Sequence, residues 1–471
     1  MMRFNMQAKT LVTALAISWV AGCASMAPEY QRPAAPVPAE FPQAASKAAA
    51  DAPQAASIPW RDYFADPRLR EVIAQALANN RDLRVATLNI EKARAQYQIQ
   101  RAELFPSIGA TGSQSVQRLP GDLTSSGEAA TSRQYNANIG FTAWELDFFG
   151  RIRSLNDAAM QQYLATEEAQ RSVQISLIAE IAQAWLTYAA DRERLDLANR
   201  TYATRVKSHE LIQRSFEVGV ASALDVRQSE SLVQSARADK ARYQTVLALD
   251  ENALTLLVGD SLRTEWMPES LSASVSAVGE LPTGLPSEVL VRRPDILQAE
   301  YALRAENATI GAARAAFFPS ITLTAGAGTA SSALDGLFAS GSGAWSFVPQ
   351  IRVPIFEAGR LQASLDVAEV QRDIGVAQYE KAIQSAFREV ADALAEKATL
   401  DERLDARRKL VAANADSVRL SEVRYASGVD SFFVLLDAQR TLFSSELLLI
   451  EVRLSEAVNR VTLYKALGGG A

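Results

Sequence analysis

The chain has 471 residues, with 48 Lys and Arg against 54 Asp and Glu and a formal net charge of −6. It has no long basic run, so nucleic acid is not an expected partner. One cysteine, Cys23, and one histidine, His209, exclude an internal disulfide framework, Cys- or His-cluster metal sites and most Ser/His or Cys/His catalytic schemes.

From the amino end, Arg3 and Lys9 precede an apolar stretch from Leu11 to Val20, and small residues lead to Cys23. The stretch is too short to span a bilayer as a helix, and a secretory signal is the better reading. The ending Val20-Ala21-Gly22-Cys23 resembles a bacterial lipobox, which makes Cys23 the expected lipidation site and first mature residue. Eight of the 17 prolines then fall between Pro28 and Pro67, a composition that predicts an extended tether.

Pro is absent from Gly121 to Met267 and again from Ile355 to Ala471, and these tracts are where long helices can form. Val173, Leu177, Ile181, Ala184 and Tyr188 recur at helical spacing, with Glu180, Gln183, Arg192 and Glu193 as polar surface. Roughly 65 residues in each tract predict rods of about 100 Å. Their charged residues argue against membrane-spanning helices, and the lack of strict heptads argues against a simple two-stranded coil.

The chain also repeats itself. Phe105-Pro106-Ser107-Ile108 returns as Phe318-Pro319-Ser320-Ile321, and Leu146-Asp147-Phe148-Phe149-Gly150-Arg151 as Ile355-Phe356-Glu357-Ala358-Gly359-Arg360. Phe216-Glu217-Val218-Gly219-Val220-Ala221-Ser222 returns as Tyr425-Ala426-Ser427-Gly428-Val429-Asp430-Ser431. Several anchors in one order predict an internal duplication. Gly219 and Gly428 suit sharp turns between helices, and Ser222 and Ser431 are candidate N-caps for the helices that follow.

Between the helical tracts the period changes to two. Tyr135, Ile139, Phe141, Ile321, Leu323 and Ile351 fall on one parity, expected to face lipid, and Asn136, Asn138, Thr142, Thr322 and Thr324 on the other, expected to face water. Four strands are expected at about 105–119, 134–147, 318–330 and 344–356, with Pro349 and Pro354 weakening the last. Four strands cannot close a lipid-embedded barrel, so transmembrane hairpins would require several chains; the periodicity does not choose between two and three.

The lipobox, Pro-rich segment, duplicated helices and hairpins together resemble the TolC-like outer-membrane factor family, in particular its multidrug-efflux lipoprotein branch. The resemblance is carried by Trp60-Arg61-Asp62-Tyr63-Phe64, Val289-Leu290-Val291-Arg292-Arg293-Pro294-Asp295-Ile296, Ala316 to Ile321, and Arg424 to Ser431 continuing through Leu436-Asp437-Ala438-Gln439 to Leu463-Tyr464-Lys465-Ala466-Leu467-Gly468. It implies an α+β membrane protein: a trimeric 12-stranded outer-membrane β-barrel continued by a long periplasmic α-helical barrel, duplicated within each chain. The expected division is a signal peptide over 1–22, a lipid-anchored Pro-rich tether over 23–60, first-copy helices over 61–104, a hairpin over 105–148 and a helix pair over 149–260. An equatorial linker over 261–286, a second-copy helix over 287–317, a hairpin over 318–357, a helix pair over 358–468 and a tail over 469–471 complete it.

The resemblance further implies an efflux exit channel, not an enzyme, with no cofactor and no metal. Its partners would be two further copies, a periplasmic membrane-fusion adaptor, a proton-driven inner-membrane transporter and outer-membrane lipid, and its Cys23 would carry acyl chains such as palmitate. Gly219, Ser222, Gly428 and Ser431 would form adaptor-facing tips. Asp437 matches one of the paired gate aspartates, with Val434 in its partner's place, and Tyr425 and Asp225 match an aromatic–acid linkage at the periplasmic gate. A second polar linkage would need Leu224 beside Asp430, and Leu224 cannot supply it. The alternatives are a passive channel or type I protein-secretion duct, or a periplasmic structural lipoprotein scaffold.

Overall fold

A computed structural model describes residues 25–42, 55–271, 278–279 and 287–470. The signal-like segment and Cys23 lie outside the described residues, as does most of 272–286. The ordered elements are α1 (Trp60–Tyr63), α2 (Pro67–Asn79), α3 (Arg81–Ala102), β1 (Gly109–Leu119), β2 (Ala130–Leu146), α4 (Arg151–Glu217) and α5 (Ala223–Val258). They continue as α6 (Pro294–Ala315), β3 (Ser320–Ser331), β4 (Gly343–Arg352), α7 (Arg360–Ala426) and α8 (Phe432–Ala466).

From α3 and α6 onward the two copies follow one order of helix, two strands and two helices. Helices α4 and α7 each have 67 residues, and α3 and α6 each have 22. At 1.5 Å per residue a 67-residue helix is about 100 Å long. None of the described helices is long and apolar enough to cross a membrane. The chain divides into two compact units: 1–34, 89–166 and 298–379 form the first, and 35–88, 167–297 and 380–471 the second.

The first unit holds a single antiparallel sheet in the order β1-β2-β3-β4, so the hairpins of the two copies join through β2 and β3. The strands differ from expectation at three places, each with a local cause. β1 starts at Gly109 because Phe105 N–H still bonds the Ala102 carbonyl and Pro106 has no donor for a ladder. β2 starts at Ala130, where it still pairs with Leu119. β4 tolerates Pro349 opposite Leu323 but ends at Arg352, short of Pro354.

The second unit contains a dense helical core. Trp185, Leu186, Ile181 and Ala182 are fully buried on α4, so the apolar surface there is wider than one stripe. Tyr63 and Tyr464 stack at 3.9 Å with their planes 5° apart, and Phe64 meets both edge-on. Their hydroxyls donate to the Arg460 and Ile58 carbonyls at 2.8 and 2.6 Å. Buried Arg293 donates to the Ala466 carbonyl at 2.6 Å and to Asp295 and Glu389 at 2.7 and 2.9 Å, which ties the end of α8 to the start of α6. The Trp60–Phe64 and Arg292-Arg293-Pro294-Asp295 segments are therefore fastenings.

The described part of the stretch read as a tether is not free. In the first unit, Pro28, Tyr30 and Arg32 bond to Asn307 and Glu300 of α6; in the second, Ser287 donates to the Pro38 carbonyl at 2.6 Å and Phe41 stacks on Phe387 at 4.8 Å.

Candidate functional site

Residues opposite one another across a ladder share a face. The register puts Tyr135, Ile139 and Phe141 opposite Ser331, Ala327 and Ala325, and the latter two opposite Trp345 and Phe347. Ile321 pairs with both Leu146 and Ile351, and Leu323 with Trp144. All six residues expected to face lipid thus share one face, which is apolar from Ile139 to Ile351 and takes in Gln114, Thr329 and Ser331 around Tyr135. Asn136 and Asn138 lie on the other, opposite Ser113 and Thr111, with Thr322 opposite Gln350 and Thr324 opposite Val348.

Thr142 is the exception and corrects the strict alternation. The register shifts between Phe141 and Trp144, with Ala143 at φ 52°. This bulge inserts an unpaired residue and re-aims the strand so that Trp144 and Leu146 rejoin the apolar face. Ala143 N–H donates to Thr324 Oγ1 at 2.9 Å, across the bulge.

The helix turns are the second feature. Gly219 and Gly428 have φ of 80° and 70°, the left-handed conformation that a residue without Cβ adopts at low cost. Ser222 caps α5 in a reciprocal box: its Oγ accepts from Asp225 N–H at 3.2 Å, and Asp225 Oδ2 accepts from Ser222 N–H at 2.9 Å. Ser431 stands at the equivalent place on α8 without a side-chain bond, the Val434 N–H bonding the Ser431 carbonyl at 3.1 Å, and Val434 has no side-chain acceptor for the reciprocal half. Instead Arg424 grips Asp430 through two bonds of 2.6 and 2.8 Å. That guanidinium holds the Asp430 carboxyl below the usual carboxylate range.

Within the single chain, Tyr425 and Asp225 are not hydrogen-bonded to each other. Asp225 is committed to Ser222, and Tyr425 packs with Val226 and Leu232 against buried Ile212, Phe432, Leu435 and Leu436. Its ring lies 5.4 Å from that of Phe432. Burial first and the Asp225 charge second raise the Tyr425 phenol, so the acid acts at a distance. Asp437 is half-exposed and accepts from Arg440, one turn on, at 2.6 Å. His209 sits between helices, its Nδ1 2.7 Å from Ser229 Oγ; because that hydroxyl donates to the Val226 carbonyl at 2.8 Å, Nδ1–H is the donor.

A sequence profile described as outer membrane efflux protein matches residues 72–260 and again 285–469. The chain belongs to the outer membrane efflux protein family. It is 49% identical over 464 residues to the toluene efflux pump outer membrane protein TtgC of Pseudomonas putida, covering 98% of this chain and 96% of that one. It is 44% identical over 459 residues to the outer membrane protein OprJ of Pseudomonas aeruginosa, with 98% and 95% covered. Among solved structures, the open state of the Neisseria gonorrhoeae MtrE outer membrane channel superposes with a TM-score of 0.84 at 39% identity, covering 95% of this chain and 98% of that one. The fold is thus that of the TolC-like outer-membrane channels, the two profile matches are its internal duplication, and the protein is an outer-membrane component of an efflux system.

This outer membrane efflux protein carries groups that no motif announced. Arg440 follows Asp437 by three, a spacing that could have flagged it; Arg424 and Asp430 are six apart across a turn, which no periodicity marks. Between α4 and α5, Asp191 is buried and paired with Arg194 at 2.7 Å. Facing it, Asp250 has a buried Oδ2 with no hydrogen-bond partner. Burial, followed by the Asp191 charge, pushes Asp250 up to about 7.

A folded-state value above the ordinary one means that the native chain holds this proton more tightly than the unfolded chain. The associated stability is complete below about pH 4 and is lost as pH rises through about 7. Asp250→Asn should flatten that decline and stabilise the protein by about 1 kcal/mol at pH 8 after allowing for solvent screening. Thermal melts of the detergent-solubilised protein from pH 4 to 8 measure both.

Proposed function

We propose that three copies of this chain pool their sheets into one 12-stranded barrel in the outer membrane and conduct small molecules outward from an inner-membrane pump. The observation that carries the reading is the sheet: one face bears an apolar band from Ile139 to Ile351, the other is polar, and β1 and β4 are its ends in the strand order. Lipid contains no water to satisfy an open strand edge, so such a sheet becomes stable there only by pairing its edges with other copies. Three copies close a water-filled interior lined by the polar face. Relatives named for toluene, solvent and antibiotic efflux support small, largely apolar cargo.

The Gly219–Ser222 and Gly428–Ser431 turns are the parts that meet a periplasmic adaptor. Their flanks expose Val218, Val220, Leu224, Val429 and Phe433, apolar groups suited to helix-on-helix packing. Asp437 contributes a three-carboxylate gate ring whose charge Arg440 moderates, Asp225 shapes the first tip through its cap, and Tyr425 fills the core beneath. Cys23 bears the lipid. The duct catalyses nothing and uses no cofactor; a proton-driven transporter in the inner membrane supplies the energy.

The test joins planar-bilayer conductance and native mass to a tip variant. The unaltered protein should conduct as a trimer. Val220→Glu, at a side chain 82% exposed, should leave trimer mass and conductance intact while removing most resistance to toluene and antibiotics in cells. A non-conducting monomer would overturn the channel, and full resistance in the tip variant would overturn the adaptor contact.

A further inference from the structure

The face of the first hairpin that bears Ile139 changes character toward its turn. Arg133, opposite Val116, and Arg118, opposite Thr131, lie on that face beyond Tyr135. They are diagonal neighbours on paired strands, about 7–8 Å apart at the backbone. Both are exposed, and among the described residues neither guanidinium has a protein partner. This face carries no acid from Ala110 to Arg118 or from Thr131 to Ile139, and the acids nearest in sequence, Asp122 and Glu128, belong to the β1–β2 connection. Tyr135 O–H accepts from Gln114 Nε2 at 3.0 Å and keeps its own proton to donate. The corresponding end of the second hairpin, with Thr329, Ser331 and Gly343, has no ionisable group on this face.

The height of the two arginines identifies their surroundings. A strand rises about 3.4 Å per residue and barrel strands tilt by about 40°, which gives roughly 2.5 Å of height per residue. On β3, Ile321 pairs with Leu146 and Ile351, and Ser331, ten residues on, pairs with Tyr135. The uncharged band between these levels is therefore about 25 Å tall, the height of the apolar band of an outer-membrane barrel, and Tyr135 closes it as an interfacial aromatic. Arg133 then stands about 5 Å above that level and Arg118 about 10 Å. Helix α3 leads into β1 and α4 leaves β2 at the other end of the hairpin, so with the helices in the periplasm the arginines reach the headgroup level of the outer leaflet. That leaflet is built of lipopolysaccharide, whose acylated disaccharide bears phosphates. Two like charges at an interface, with no counter-charge from the protein, suit a ligand that brings its own, and a phosphate offers several oxygens to the planar guanidinium fork.

We infer that Arg118, Arg133 and Tyr135 form a binding site for the phosphorylated headgroup of lipopolysaccharide on the outside of the first hairpin. The site rests on the reading of this sheet as part of a barrel with that face in lipid. The two guanidinium groups hold the phosphate, the Tyr135 phenol donates to a sugar or phosphate oxygen, and the acyl chains lie along Ile139 and its neighbours below. The arginines thereby take the place of the divalent cations that otherwise neutralise such phosphates, and in a trimer the site occurs three times.

The test uses the full-length protein, purified into phosphatidylcholine nanodiscs in magnesium-free buffer, with Arg118→Gln, Arg133→Gln and both together. Arg352→Gln, which removes an equal charge from the other face at the far end of β4, opposite Ser320, is the control. Each protein is titrated with diphosphoryl lipid A, with lipid A stripped of its phosphates and with inorganic phosphate; native mass counts bound lipid, and planar-bilayer conductance reports the assembled channel. Each single variant should lose about fivefold in affinity for diphosphoryl lipid A and the double variant about thirtyfold, with conductance intact and the control near the parent. The stripped lipid should bind the parent and the double variant equally and weakly, and inorganic phosphate should not displace diphosphoryl lipid A. A conducting double variant with the parent's affinity would overturn the site alone. Inorganic phosphate binding as tightly as the lipid would overturn the glycolipid as its ligand in favour of a free anion. A parent that gives no conducting trimer would overturn the barrel, and the site with it.

Discussion

Ile139→Arg is expected to abolish the membrane-stable assembly, while Asn138→Arg next to it is expected to be tolerated. Ile139 sits midway along β2, opposite Ala110 on one side and Ala327 on the other, and is 63% exposed in the single chain. Its face bears Phe141, Trp345, Phe347 and Ile351 and no ionisable group over that span. A guanidinium on the lipid face near the midplane costs about 2–4 kcal/mol, and each trimer would bear it three times. Asn138 points the other way, opposite Thr111 and Gly328, where a cation stays in water and alters ion passage. Heat-stable trimer recovered from outer membranes reads the first effect, and reversal potentials in bilayers read the second. Equal yields from the two variants would mean that the sheet has no lipid face.

Trp185→Ala should destabilise the second unit by about 3–5 kcal/mol, the usual range for removing a large buried aromatic. Trp185 is fully buried on α4, as are Ile181, Ala182, Leu186 and Ala189 of the same helix. Its indole N–H donates to the Trp266 carbonyl at 3.1 Å, so truncation leaves both a cavity and an unpaired acceptor. Trp185→Phe keeps much of the volume and loses the bond, and should cost about 1–2 kcal/mol. Denaturant midpoints followed by far-ultraviolet circular dichroism, with slopes compared to exclude altered exposure on unfolding, order the three proteins. A Trp185→Ala midpoint equal to the parent's would show that this cluster does not hold the helices together.

What was legible in advance concerned features encoded within a few residues of one another. The Pro- and Gly-poor tracts became α4 and α7, because a missing donor or a ring clash acts on the local helix ladder wherever the chain lies. The parity of Tyr135, Ile139 and Phe141 against Asn136 and Asn138 carried through to opposite sheet faces, since side-chain alternation is built into extended backbone. Gly219 and Gly428 were turns for the same kind of reason, as a positive φ is a property of one residue.

Tertiary structure decided everything that required two distant segments to meet. Asp225 was read as a partner for Tyr425; within the single chain it bonds Ser222, and Tyr425 packs against Phe432 and its apolar neighbours. The bulge at Ala143 depends on how β2 meets β3, so no pattern within β2 marks the place where Thr142 leaves its face. Prolines 28 to 38 dictated an extended backbone by themselves. That this backbone lies fastened on α6 follows from Glu300, 268 residues beyond Arg32, becoming a buried charge that needs counter-charges, a demand that exists only once the chain has folded around it.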